Sequence, residues 1–338
     1  MKIACFYNDL VEKDYLEKNL KDNNIEFLPE PMNDHSGWKS DAEVLSVFVK
    51  SNVGAKEMDL MPNLKFIATR STGFDHIDLD EAKKRGIIVS NIPTYGENTV
   101  AELAFALILN LSRKMYESYD RVRSEGSFSQ VGLRGFDLMG KTIGVVGTGH
   151  IGRYVIKMAH GFGMKILSFD INKDEEFKKE YGFEYVELEE LFASSDIVTF
   201  HVPYNPHTHH LINKDNIKNF KKGSYIINTS RGAVVETDAL VYGLKEGIIA
   251  GAGLDVLEEE GPMFDHMLAF GESHPNETVL KTLLENHYLI DHPNVIITPH
   301  NAFNTNEAIE RILETTVENI NAFSKGTPQN IVEKRKNR

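Results

Sequence analysis

Two rhythms of apolar and polar residues alternate along the chain. Short apolar runs rich in Val, Ile and Phe read as strands, and charged stretches with apolar residues three and four apart read as helices. The first third carries the runs IACFY, VLSVFV, KFIAT and GIIVSN, with helical patterns at residues 12–21 and 78–85. In the second part the runs TIGVVG, KILSFD, IVTFHV, SYIINTS, IAGAGLDV and NVIITP are almost continuously apolar, as expected of parallel strands covered on both faces. Helical spacing lies between them at 151–160, 187–193, 213–220 and 237–245, and returns at 306–323. The alternation predicts an α/β protein on parallel sheets: one small open domain, then a larger doubly wound one.

Three stretches depart from this rhythm. Residues 100–116 predict one long helix, capped by Asn98 or Thr99 and suited to connect domains. Residues 124–140, rich in Gly and Ser, predict a loop. Residues 258–291, with Gly261-Pro262 and His274-Pro275, predict an irregular excursion with a short helix near 279–284. No internal repeat is visible.

Composition narrows the function classes. A chain of 338 residues suggests two domains at about 100–200 residues each. Cys5 is the single cysteine, so there is no disulfide framework or thiolate zinc site, and a reducing, cytoplasmic setting is expected. The N-terminal MKIACFYNDL lacks the apolar core of a secretory signal, and no apolar stretch reaches the about 20 residues of a membrane helix, so no membrane partner is expected. The net charge of −13 opposes binding to nucleic acid. The basic last residues, 333–338, read as a solvated tail. His207, His209 and His210 lack a neighbouring carboxylate or cysteine cluster, and no metal site is expected.

The sequence GTGHIG at 147–152 directly follows a strand run and opens a helical one. In that context Gly147 permits the tight turn, Gly149 lets a pyrophosphate approach the backbone, and Gly152 allows close helix packing. The pyrophosphate would sit on the helix N-terminus. The next strand run ends in Asp170, about 20 residues on, where an acidic side chain accepts ribose hydroxyls and repels a 2′-phosphate. NAD is therefore expected over NADP. FAD and S-adenosylmethionine use similar turns, and the mid-chain position disfavours FAD.

If the chemistry is hydride transfer to a carbonyl, it also needs a cation for a substrate carboxylate, a proton donor and a group that tunes the donor. Three residues follow strand runs where such sites lie: Arg231 after SYIINTS, Glu260 beyond IAGAGLDV and His300 at the end of NVIITPH. Arg offers a planar fork that stays charged, His titrates near neutrality, and a carboxylate beside it would keep the imidazolium populated. Taken singly, each could equally be a surface or packed residue.

The motifs RSTGFDHIDL (70–79), GKTIGVVGTGHIGR (140–153), HVP (201–203), INTSRGAVV (227–235), GAGLDVLEEE (251–260) and TPHNAF (298–303) together resemble the D-isomer-specific 2-hydroxyacid dehydrogenase family. The resemblance runs from about residue 65 to 323. It implies Arg231, Glu260 and His300 as the catalytic set, with His300 the proton donor. It also implies NAD contacts from His150, Ile151, Asp170, Val202, Pro203, Thr208, Thr229, Ser230, Arg231 and Asp255, and a substrate carboxylate held by the backbone of Thr72 and Gly73. The implied fold is a Rossmann NAD domain, 99–302, inserted into a smaller flavodoxin-like substrate domain, 1–98 and 303–338. The helix at 100–116 is expected to contribute to a homodimer.

Tyr95 and Phe303 match pocket positions of the D-lactate dehydrogenase branch, which implies pyruvate and D-lactate as the substrate pair. Asn301, Leu103 and the long stretch from Glu260 to His300 depart from that branch. Glyoxylate or hydroxypyruvate reduction and phosphoglycerate oxidation stay open within the fold. An NAD-sensing, corepressor-like scaffold is the reading from another class.

Overall fold

The computed structural model describes residues 1–260 and 277–332. The chain divides into two units, Met1–Gly96 with Asn304–Arg338, and Glu97–Phe303.

The first unit is a five-stranded parallel sheet. Its strands are β1 (Lys2–Tyr7), β2 (Asn24–Pro29), β3 (Val44–Val47), β4 (Phe66–Thr69) and β5 (Ile88–Ser90), in the order β2-β1-β3-β4-β5. Alternate residues supply two cores, as a period of two demands. Ala4, Phe6, Leu45 and Ile67 pack with Met58 and Met61 on one face. Ile3, Cys5, Val44 and Phe66 pack with Leu16 of α1 (Leu10–Asn19) and with Leu313 and Ile320 of the last helix, α11 (Asn306–Ser324), on the other. The C-terminal helix thus belongs to the unit that the N-terminus begins.

The second unit is a seven-stranded parallel sheet of order β12-β11-β10-β9-β6-β7-β8. The strands are β6 (Thr142–Val146), β7 (Lys165–Phe169), β8 (Glu184–Tyr185), β9 (Ile197–Phe200), β10 (Ser224–Asn228), β11 (Ile249–Leu254) and β12 (Val295–Ile297). On one face Ile143, Val145, Ile166 and Ile227 meet α4 (Glu97–Arg113) and α6 (His150–Gly161). On the other, Val146, Val198, Phe200 and Ile226 meet α8 (Leu188–Ser194) and α9 (Thr237–Lys245). Both faces are dry, which explains the continuously apolar strand runs. The strand order reverses between β6 and β9, and in such sheets the ligand crevice lies at the carboxyl ends beside that reversal.

Several elements differ from the sequence expectation, each for a local reason. The long helix stops at Arg113, because Lys114 turns left-handed (φ 49°) and the Asn110 side chain accepts the Tyr116 N–H at 3.0 Å, starting α5 (Met115–Glu125). Asn98 and Thr99 lie inside α4 rather than capping it. The helix expected at 213–220 is a single 3₁₀ turn, Ile217–Asn219, because the Asn213 and Asn216 side chains take each other's neighbouring amides. The expected short helix near 279–284 is α10 (Glu277–Asp291), while residues 261–276 of the expected excursion and the basic tail lie outside the described residues. Besides α5, two strands and two helices were absent from the pattern. β2 and β8 are sheet edges, with Glu26 in β2 spent on Trp38 and Ser40, and α2 (Ala55–Asp59) and α7 (Glu175–Tyr181) are short. The remaining helix is α3 (Leu79–Lys84).

The first unit also buries a charge. Arg70, at the end of β4, is fully buried; its guanidinium donates to Phe6 O and to Ser46 Oγ at 2.9 Å, and lies 3.5 Å from Glu30 and 3.7 Å from Glu12. Burial pushes the Glu30 carboxyl up, and the charge of Arg70 works against that. Removing only the cation would leave two buried carboxylates without a countercharge. Arg70→Met is therefore expected to cost about 3–5 kcal/mol in urea unfolding. Adding Glu12→Gln and Glu30→Gln to it should recover most of that loss.

Candidate active site

The glycine-rich turn sits at the reversal between β6 and β9. Gly147 adopts φ +96°, and a Cβ there would lie 2.7 Å from His201 O. A Cβ on Gly152 would lie 2.0 Å from Gly147 O, so the first turn of α6 rests directly on the loop before it. Gly149 has nothing within 4 Å of the same position, and it caps α6 without a side chain. The first N–H groups of α6, including those of His150 and Ile151, are left available by this open face, which is what a pyrophosphate needs. Asp170 reaches back from the end of β7: its Oδ2 accepts from Thr148 N at 2.6 Å and Thr148 Oγ1 at 3.0 Å.

The loop after β9 folds on itself. Thr208 Oγ1 donates to Pro203 O at 2.6 Å and accepts from Asn205 N at 2.9 Å, which sets the path of Val202 to Thr208. His201 turns its ring inward, with Nε2 2.9 Å from Thr199 Oγ1, and burial pulls its pKa down to about 3. It is neutral at any working pH. His209 Nδ1 meets Tyr204 Oη at 3.2 Å and His210 Nε2 meets Glu258 Oε1 at 2.7 Å. No group of three or more candidate metal ligands occurs among the described residues.

The carboxyl ends of β10, β11 and β12 carry the expected reacting groups side by side. At the end of β10, Asn228 accepts from Ser230 N and Oγ at 3.0 and 2.8 Å and donates to Arg231 O at 2.9 Å, shaping the turn that presents Arg231. Arg231 Nη1 donates to Ser230 O at 2.9 Å, and the buried Thr229 Oγ1 has no partner among the described residues. Gly232 then packs against the Leu257 and Glu258 backbone, where a Cβ would come within 2.1 Å. That contact brings the Arg231 turn against the segment ending in Glu260.

Glu260 and His300 meet directly. His300 Nδ1 lies 3.0 Å from Glu260 Oε2, while Glu260 Oε1 accepts Leu257 N at 3.2 Å. A carboxylate only accepts, so Nδ1 carries the hydrogen and Nε2 faces no protein partner among the described residues. His300 adopts φ +50°, a left-handed conformation unusual for a side-chain-bearing residue. Asp255 holds it there. Its buried carboxylate accepts from Thr298 Oγ1, Asn301 N at 2.8 Å and Ala302 N at 2.9 Å, and its carbonyl accepts His300 N at 2.9 Å. Burial pushes the Asp255 carboxyl up, opposed by these donors. The family resemblance makes Asp255 an NAD contact, whereas every bond described for its carboxylate goes to the His300 turn.

Thr72, Gly73 and Tyr95 belong to the first unit, and Phe303, half-buried, ends the second. Thr72 Oγ1 donates to Ile92 O at 2.7 Å and its carbonyl accepts Asn91 Nδ2 at 2.8 Å. The Tyr95 carbonyl accepts from Arg311 Nε of α11. Residues missed from the sequence are Thr148, an unspecified position of the glycine motif, and Glu258, which accepts Thr237 N and Oγ1, both at 2.7 Å, at the start of α9. The acidic run after Asp255 was the available signal for Glu258; nothing pointed to Thr148.

The family model described as "D-isomer specific 2-hydroxyacid dehydrogenase, NAD binding domain" matches residues 105–302. The chain belongs to this family. It is 36% identical over 96% of its length to a 2-hydroxyacid dehydrogenase homolog of Zymomonas mobilis, covering 98% of that protein. It is 41% identical to a glyoxylate reductase of Thermococcus litoralis, over 87% of this chain and 84% of that one. Among solved structures, a D-lactate dehydrogenase from Aquifex aeolicus, complexed with NAD and lactic acid, superposes with a TM-score of 0.83 at 38% identity, covering 97% of this chain and 96% of the other. The chain is thus an NAD-dependent 2-hydroxyacid dehydrogenase acting on a CH–OH group. The open Gly149 face and the uncapped start of α6 fit the cofactor's pyrophosphate.

The two glycines of this dehydrogenase should respond differently to a methyl group. Gly152→Ala is expected to lower the melting temperature, because the clash is with backbone. Gly149→Ala should melt normally while weakening NADH binding, read by nicotinamide fluorescence.

Proposed function

We propose that this dehydrogenase interconverts a small 2-keto acid and its D-2-hydroxy acid, with pyruvate and D-lactate as the favoured pair. The observation that carries the reading is the His300–Glu260 pair at 3.0 Å, which leaves Nε2 of the imidazole for a substrate oxygen. Bound NADH supplies the hydride. His300 donates the proton to the carbonyl oxygen from Nε2, and Glu260, bonded to Nδ1, fixes the orientation of the ring. Arg231 holds the substrate carboxylate and polarises the carbonyl. In the first unit, the N–H groups of Thr72 and Gly73 are the donors suited to a carboxylate.

The likeness to the Aquifex aeolicus D-lactate dehydrogenase, together with Tyr95 and Phe303, supports pyruvate. The 41% identity to the Thermococcus litoralis glyoxylate reductase favours glyoxylate as the second reading. The domain reading follows the same logic: 99–302 binds NAD, and 1–98 with 303–338 supplies substrate contacts. A cytoplasmic setting suits Cys5, whose thiol burial pushes up to about 11.

The test is NADH oxidation by the purified protein with pyruvate, glyoxylate, hydroxypyruvate and bulkier 2-keto acids, with the chirality of the product assigned. Pyruvate is expected to give the highest kcat/KM and a D product, while a preference for glyoxylate would replace the favoured pair. His300→Ala should lower kcat by about 10²–10⁴-fold and leave NADH affinity unchanged. No turnover with any acid, or equal loss of both properties, would refute the reading.

We also propose a homodimer. The apolar face of α4 is spent within its own unit, whereas α5 buries none of its residues, and Tyr119, Phe128, Val131 and Met139 of α5 and the following segment are exposed. Exposed apolar side chains of this size suit association with a second copy. Light scattering should give a dimer mass, and Phe128→Ser with Val131→Ser should shift it toward monomer. A monomeric wild-type protein would overturn the dimer.

A further inference from the structure

Asp170 is the group at the glycine-rich turn that distinguishes a ribose hydroxyl from a ribose phosphate, and its carboxylate is tied down on three sides. Oδ2 accepts from Thr148 N at 2.6 Å and Thr148 Oγ1 at 3.0 Å, and Oδ1 accepts from Asn172 N at 2.8 Å. Thr148 Oγ1 lies a further 3.0 Å from Tyr185 Oη, and Tyr185 Oη accepts Asp174 N at 3.2 Å.

The two ends of this series determine the direction of every hydrogen in it. A backbone N–H can only donate and an ionised carboxylate can only accept. Tyr185, accepting from Asp174, therefore donates to Thr148, and the Thr148 hydroxyl donates to Asp170. Thr148 is buried, so its hydroxyl has no competing solvent. A carboxylate offers about four acceptor positions, and three are taken here, leaving one on Oδ1. Arg153 of α6 is engaged elsewhere: it donates to Asp174 Oδ2 at 2.5 Å and lies 4.7 Å above the Phe177 ring. Lys173 Nζ stands over the Tyr185 ring at 6.0 Å.

We propose that Thr148 and Tyr185 are positioning residues for cofactor choice, holding the Asp170 carboxylate in one rotamer so that it bonds a ribose hydroxyl and opposes a 2′-phosphate. This rests on the reading that Asp170 faces the adenosine ribose of NAD. If the carboxylate swings, the bond to the hydroxyl weakens and the charge moves away from where a phosphate would sit. Both changes reduce discrimination. β8, a two-residue edge strand, thereby acquires a function through Tyr185.

The experiment measures the ratio of kcat/KM with NADH to that with NADPH, and the Kd of each by nicotinamide fluorescence, for Tyr185→Phe, Thr148→Val, Thr148→Ser and Asp170→Ala. Tyr185→Phe should lower the ratio by about fivefold and Thr148→Val by about tenfold, the size of one neutral and one charge-assisted hydrogen bond. Thr148→Ser, which keeps the hydroxyl, should stay near wild type. In an Asp170→Ala background, Tyr185→Phe should change nothing further, an outcome that a general packing role would not produce. Collapse of the ratio in Asp170→Ala with no change in Tyr185→Phe or Thr148→Val overturns the positioning role and leaves the Asp170 reading intact. An unchanged ratio in Asp170→Ala overturns the reading itself. Equal weakening of both cofactors in Tyr185→Phe and Thr148→Val reduces the two residues to structural parts and also overturns the proposal.

Discussion

A parallel strand cannot turn back onto its neighbour, so the chain must cross a sheet face to begin the next one. That constraint decides where chemistry can occur in this dehydrogenase. The crossovers from β6 build first toward β7 and β8 and later strands build from the other side, leaving a crevice at the carboxyl ends of β6 and β9. Gly147 and His201 are the residues that leave the sheet at this reversal, and they touch so closely that only a glycine fits. Along the same edge the loops after β10, β11 and β12 carry Arg231, Glu260 and His300. The reacting groups are neighbours because their strands are neighbours.

Within that edge, carboxylates do the arranging, one of them, Asp255, buried. Asp255 gathers the turn from Thr298 to Ala302 and holds His300 in a backbone conformation that few side-chain-bearing residues adopt. The acidic run after it divides its labour. Glu258 joins the start of α9 to His210, and Glu260 joins His300. A run of like charges that composition alone would assign to solvent is here separated by direction, two of its members pointing into different polar partners.

The alternation of apolar runs made the parallel sheets and both dry faces legible in the sequence, because strands such as SYIINTS and IAGAGLDV need cover on either side. The glycine turn and the positions of Arg231, Glu260 and His300 were legible for the same reason, since each follows a strand run. Two of the edge strands were not: β2 contains Glu26, and β8 is too short to have a period. The break at Lys114 and the collapse of 213–220 into a 3₁₀ turn depend on Asn side chains taking backbone donors, which a hydrophobic period does not record. Nor could spacing reveal that Asp255 serves the His300 turn, because its partners lie more than 40 positions away and meet it only through the pairing of β11 with β12.

The strand order of the first unit also reverses, between β1 and β3, and sheets of that order commonly seat a cofactor in the resulting gap. Here the gap is stoppered from within. The guanidinium of Arg70 reaches Phe6 on one of these strands and Ser46 on the other, with Glu12 and Glu30 closing around it. The chain has put its own ion where a relative by architecture would put a ligand, so a vacancy native to the fold has become masonry.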